Sequence, residues 1–175
     1  NAIRTHHSDL SVLLREFSLA SSSDLTDNER ASQRIINDAA TTLDDAEAAL
    51  RADDPERSLE LTTAARSALT EAETLVDTVT DRLQLLRQVQ RDPDAPAAAV
   101  RFTLRDARML AASRGQLRQW RTILDAQAEH VDRICAQLRS SKPDYFAYLT
   151  ELDTVSSSVK DVIERMREHA HRPTS

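Results

Sequence analysis

Arg101, Arg105 and Arg108 stand at spacings of four and three residues, which on a helix puts three guanidiniums on one face. Arg114, Arg118 and Arg121 repeat the spacing about halfway round the same helical projection. The chain carries 21 arginines against two lysines, and the planar guanidinium makes paired hydrogen bonds with carboxylate or phosphate. Two readings follow. Either row can pair internally with acids such as Asp44, Asp45 and Glu47, or receive an acidic protein or anion; Arg101, Arg105 and Arg108 are the candidate docking residues. Tyr145 and Tyr148 join them, since tyrosine is common where one protein meets another. Phe146 is expected to plug the bundle end.

Other chemistry finds little support. The histidines are His6, His7, His130, His169 and His171, with no His-x-x-x-His pair to grip a metal from one helical turn. The acids Glu47, Glu71, Glu73, Asp77 and Asp81 have no histidine at the spacing that carboxylate-bridged di-iron bundles use. Glu129 and His130 are adjacent and leave a helix in different directions. Cys135 is the only cysteine; it neighbours apolar Ile134 and reads as a buried, inert thiol rather than a nucleophile. A single glycine leaves almost no material for a phosphate-cradling loop. No catalytic, metal or cofactor site is expected, and the chain reads as a non-enzyme.

These residues need rigid elements to hold them, and the apolar pattern supplies helices. A short one is expected over residues 8–19, with Ser8 as cap and Leu10, Leu13, Leu14 and Phe17 on one side. Ser21 to Asp24 reads as a linker. Thr26 and Glu29 have the spacing of a capping box for a helix over 26–52. Asp54-Pro55 restarts the chain, because aspartate accepts the first orphan amides and proline at the first helical position gives up no needed donor. The next helix, 55–91, carries Leu61, Ala65, Ala68, Ala72, Leu75, Val79, Leu83, Leu86 and Val89 in a near-heptad row with one stutter at Leu83. Prolines 93 and 96 break it.

A third long helix is expected over 96–139, with Leu117, Leu124 and Val131 inward and Gly115 marking a kink or a close helix crossing. The last, over 143–169, points Phe146, Leu149, Leu152, Val155, Val159, Val162 and Met166 inward, and residues 171–175 form a loose tail. Short breaks between long helices require them to fold back. The fold class is therefore all-α: an elongated antiparallel bundle of three to four long helices over 26–170, preceded by a short N-terminal helix and linker over 1–25.

The net charge of −6 hides a contrast. Residues 26–54 carry 8 acids and 3 bases, whereas 93–142 carry 5 acids and 9 bases. One basic element in an acidic chain suits a protein partner better than a nucleic acid, which needs a broad positive surface. No apolar run approaches the ~18 residues of a membrane span, so no membrane insertion by this segment is expected. Asn1-Ala2 reads as a tag remnant on a piece of a longer protein.

The stretch Asn37-Asp38-Ala39-Ala40, Leu43-Asp44-Asp45-Ala46-Glu47-Ala48-Ala49-Leu50, Arg51-Ala52-Asp53-Asp54-Pro55, and then Ala64-Ala65-Arg66, Ala68-Leu69 and Ala72 to Asp77, resembles the Ala-rich helical region that follows the TPM domain in actinobacterial envelope proteins. The resemblance covers residues 36–90. It implies a helical accessory module in a membrane-associated parent protein and carries over no catalytic residue; without it, a cytoplasmic location is the default. The function expected is a non-catalytic interaction or scaffold module that binds a protein partner or a second copy as a homodimer. A regulatory or sensory domain binding a small anion or ligand is the alternative, and it expects a pocket near Gly115 or Arg114.

Overall fold

The structure, a computed structural model, describes residues 2–171, with side chains described for 9–168. Every regular element among them is helical. In chain order these are α1 (Ala2–Glu16), two 3-10 turns (Leu19–Ser21 and Ser23–Leu25), α2 (Asn28–Arg51), α3 (Pro55–Arg91), α4 (Asp94–Ser113), α5 (Leu117–Gln137) and α6 (Tyr145–His171). None of these helices is long and apolar enough to cross a membrane. The side chains of His6, His7, Ser8, His169 and His171, together with Asn1 and residues 172–175 of the expected tail, lie outside the described residues. The chain divides into two compact units, Asn1–Leu85 and Leu86–Ser175, instead of a single bundle over 26–170.

In the first unit, α1 starts earlier than residue 8, so Ser8 falls inside the helix and not at its cap. Leu10, Leu13 and Phe17 are buried, while Leu14 is 39% exposed. The capping box expected from Thr26 and Glu29 does not form. Thr26 Oγ1 instead donates back to the Ser23 carbonyl at 2.9 Å, and the helix begins two residues later, because the 3-10 turn has already taken that hydroxyl. Arg82 of α3 secures the connection: Nη1 donates to the Ser21 carbonyl at 2.9 Å, and Nη2 meets Asp24 Oδ2 at 3.0 Å.

The α2–α3 turn is encoded locally. Asp53 adopts φ 60°, its N–H bonds to the Leu50 carbonyl, and the Asp54 N–H reaches back to Ala49, a pair of bonds that satisfies the last carbonyls of α2. Asp54 Oδ1 then accepts the Arg57 N–H at 3.0 Å and caps α3. So short a turn sends α3 back antiparallel to α2. The Asn28 Nδ2 bond to the Leu75 carbonyl sets their register, and counting along both helices puts Ser32 level with Ala72 and Ala39 level with Ala65. All four are at most 2% exposed. Ser32, Ala39 and Ala46 recur every seven residues on α2, as do Ala65, Ala72 and Val79 on α3. Small side chains at heptad spacing make a narrow seam that admits close helix approach.

The second unit is a three-helix bundle in which α4, α5 and α6 each pack against the other two. The single helix expected over 96–139 is two helices. Gly115 takes φ 67°; its N–H bonds to Ala112 O at 3.0 Å and that of Gln116 to Ala111 O at 2.8 Å. This is a helix stop that glycine makes without steric cost, not a kink. Nor does another helix crowd the glycine, since a Cβ placed there meets nothing within 4 Å. Inward residues on α4 are Ala97, Val100, Leu104, Ala107 and Ala111; on α5 they are Trp120, Leu124, Val131 and Ile134. Asp144 caps α6 by accepting the Phe146 and Ala147 amides at 3.1 and 3.0 Å. The inward row of α6 is Tyr148, Leu152, Val155, Val159, Val162 and Met166, a heptad alternation of four and three.

Candidate functional site

The turn at Gly115 brings the outer faces of α4 and α5 side by side and so builds a site from residues that one straight helix would have strung out. Arg101 Nη2 donates to Asp132 Oδ1 at 2.8 Å, and Arg108 Nη2 to Asp125 Oδ1 at 2.7 Å. The two rungs are seven residues apart on each helix, as antiparallel neighbours require. Arg121, from the second arginine row, approaches the other Asp125 oxygen at 3.5 Å. The first row therefore pairs with acids of α5, while Glu47 pairs along its own helix with Arg51 at 2.7 Å. The remaining member, Arg105, lies over the Phe102 ring with its guanidinium carbon 4.5 Å from the centroid, a cation–π arrangement. Among the described residues, the acid within its reach is its neighbour Asp106, at 3.8 Å.

Between these rungs and the turn lies a groove of about 550 Å³ lined by Arg105, Arg108, Met109, Ala112, Leu117, Arg121 and Asp125. Three guanidiniums and one carboxylate line it, so the groove is positive. Apolar side chains are exposed on the same helix face: Met109, which lines the groove, is 64% exposed, and Phe102, two turns earlier on α4 and under Arg105, is 56% exposed. Leu117, expected inward, is 40% exposed and lines this groove, because α5 begins there and its inward row starts at Trp120. The groove's guanidiniums stay charged near neutral pH, so it offers fixed positive charge to an acidic group. A larger concavity of about 820 Å³ is lined, among the described residues, by Asp27, Glu29, Arg30, Gln33 and Arg34. No hydrophobic residue type is among these described lining residues, and it is the weaker candidate.

At the far end of the rungs, the Asp132 hydrogen bond raises the Arg101 pKa above its ordinary value. Cys135 Sγ lies 3.6 Å from the same guanidinium nitrogen and is half-buried. Arg114 is used structurally: Nη1 donates to the Met166 carbonyl at 2.8 Å, tying the α4 terminus to the last turns of α6. No three of the described histidine, cysteine, aspartate and glutamate side chains are grouped so as to hold a metal ion.

Tyr148 does not belong to a docking surface. It is 1% exposed, and its hydroxyl donates to the Pro93 carbonyl at 2.6 Å, joining the starts of α4 and α6. It takes the plugging position expected of Phe146, which is only half-buried, as is Tyr145. Burial, with a contribution from Cys135, pushes the Tyr148 pKa from 10.0 up to about 12. The folded state thus holds this proton more tightly than the unfolded chain, so the stabilisation is complete below pH 10.0 and fades as pH rises to about 12. Allowing for solvent screening, the loss is about 1–2 kcal/mol. Tyr148→Phe removes this dependence while orphaning the Pro93 carbonyl. Urea unfolding at about pH 9 and about pH 11.5 should show the gap between native protein and variant narrowing at the higher pH. An unchanged gap would mean that the hydroxyl is not shielded.

Phe102, Met109, Asp125 and Asp132 were not singled out from the sequence. Their signal lay in the turn: once the chain reverses there, counting outward from a centre between Gln116 and Leu117 matches Arg108 with Asp125 and Arg101 with Asp132. Comparison with protein-family models, with curated proteins and with solved structures finds no match to this chain.

Proposed function

We propose that this chain is a non-catalytic helical interaction module, and that the outer α4–α5 face docks an acidic protein segment bearing apolar side chains. The observation that carries this reading is the exposure of Phe102 and Met109 beside Arg105, Arg108 and Arg121. Aromatic residues, methionine and arginine are the types enriched where proteins meet. Asp125 argues against a bare small anion as occupant, since it already engages Arg108 and Arg121. A peptide can bring acids to the rim near Arg105 and an apolar anchor to Met109. On the resemblance of residues 36–90 to the helical region after the TPM domain, the parent is taken to be membrane-associated and this module its accessory part. Self-association is the competing use of the face.

The test is fluorescence anisotropy with a labelled amphipathic peptide, about three heptads long, with leucine on one face and glutamate on the other. It is expected to bind the chain at low salt, and Arg105→Glu with Met109→Ser should weaken it at least about tenfold. No binding, or binding indifferent to this double variant, sinks the proposal. Light scattering at low and high salt addresses self-association: a dimer broken by the same double variant would replace the acidic partner with a second copy.

A further inference from the structure

The α2–α3 hairpin carries a second surface with the opposite charge. Leu50 is 62% exposed, Leu43 39% and Leu69 36%. With half-buried Ile36 and Val76, they form two heptad rows, Ile36-Leu43-Leu50 on α2 and Leu69-Val76 on α3. Projected at ~100° per residue, both rows fall on the same flank of the alanine seam. The flank is apolar for about 21 Å along α2, at ~1.5 Å per residue, the length of two heptads.

Its rim is acidic. Asp44 and Glu47 on α2 and Glu73 and Asp77 on α3 are all exposed, against Arg51 and Arg66. Arg51 is committed to Glu47 at 2.7 Å. That leaves Asp44, Glu73 and Asp77 with no ion pair among the described residues. Two parallel apolar rows beside a tight seam have the form of the groove into which a third helix packs in a three-stranded coil. Unmatched acids along both edges select the charge of that helix. We infer that this flank binds a basic amphipathic helix of another protein, about two to three heptads long. A second copy of the same flank would set acids against acids, and an anionic lipid surface would meet the same repulsion.

The inference is independent of the α4–α5 groove, and its test keeps the two apart. The probe is the lysine counterpart of the peptide used above, with leucine on one face and lysine on the other, titrated against the full chain. It should bind with an affinity that falls as salt rises. Leu43→Ser with Leu69→Ser should weaken it at least about tenfold, and Glu73→Lys with Asp77→Lys should remove most of the salt dependence. Arg105→Glu with Met109→Ser should leave it unchanged. Circular dichroism checks that each variant is folded; all four hairpin positions are at least one-third exposed. The inference is overturned if the glutamate peptide competes equally for this flank, if either hairpin double variant leaves binding unaltered, or if the α4–α5 variant abolishes it.

Discussion

Leu124→Ala is expected to lower the stability of the second unit by about 3 kcal/mol, within the ~2–5 kcal/mol range for buried leucine truncations. Leu124 is 0% exposed in the core that α4, α5 and α6 share. It also precedes Asp125, the residue that engages Arg108 and Arg121 on the outer face. Truncation removes packing from the inner side of α5 at the level where the outer side holds the groove. The acidic peptide should therefore bind the variant more weakly, although no residue of the groove is altered. Leu124→Met, which conserves volume, should cost less than about 1.5 kcal/mol and keep the peptide bound. Urea unfolding followed by circular dichroism measures the first effect. A cost under about 1 kcal/mol would show that the core at this level collapses without penalty and does not set the α4–α5 spacing.

Ala72→Leu should act on the first unit in the opposite sense, by overpacking, and destabilise it by about 2–3 kcal/mol. Ala72 is 2% exposed and level with Ser32, itself 2% exposed. A leucine there needs space that two small side chains do not leave, so α2 and α3 must move apart. Hydrogen exchange separates the outcomes: amides of α2 and of α3 up to Leu85 should lose protection while those of α4 to α6 keep theirs, because the two units are internally compact. Faster exchange throughout would show that the units unfold as one. A stabilised protein would show that the seam contains a void and that the alanines do not draw the helices together. The basic helix inferred above offers a further check, since a widened seam changes the spacing of the rows that Leu43 and Leu69 belong to.

The all-α class, the restart at Asp54-Pro55 and the apolar rows of α3 and α6 were legible because they depend on neighbours within about one helical turn. A capping aspartate, a proline at the first helical position and a period near 3.6 residues act through local hydrogen bonds and sterics, and they do so whatever else the chain touches. Tertiary packing decided the rest. Phe146 and Tyr148 are both apolar enough to end a bundle and lie two residues apart. Tyr148 wins because the Pro93 carbonyl of another helix accepts its hydroxyl, a contact that periodicity does not encode. Thr26 and Glu29 spelled a capping box, yet the Thr26 hydroxyl was taken by the preceding turn. At Gly115 the apolar row continues at near-heptad spacing on both sides, so one long helix and a hairpin of two are equally periodic. Gly115 permits the stop, and burial of Leu104, Ala107 and Ala111 with Trp120 and Leu124 in one core favours the reversal over a straight helix. That choice also decides the site, because it turns a line of arginines on one helix into a groove between two, with acids of α5 opposite the arginines of α4.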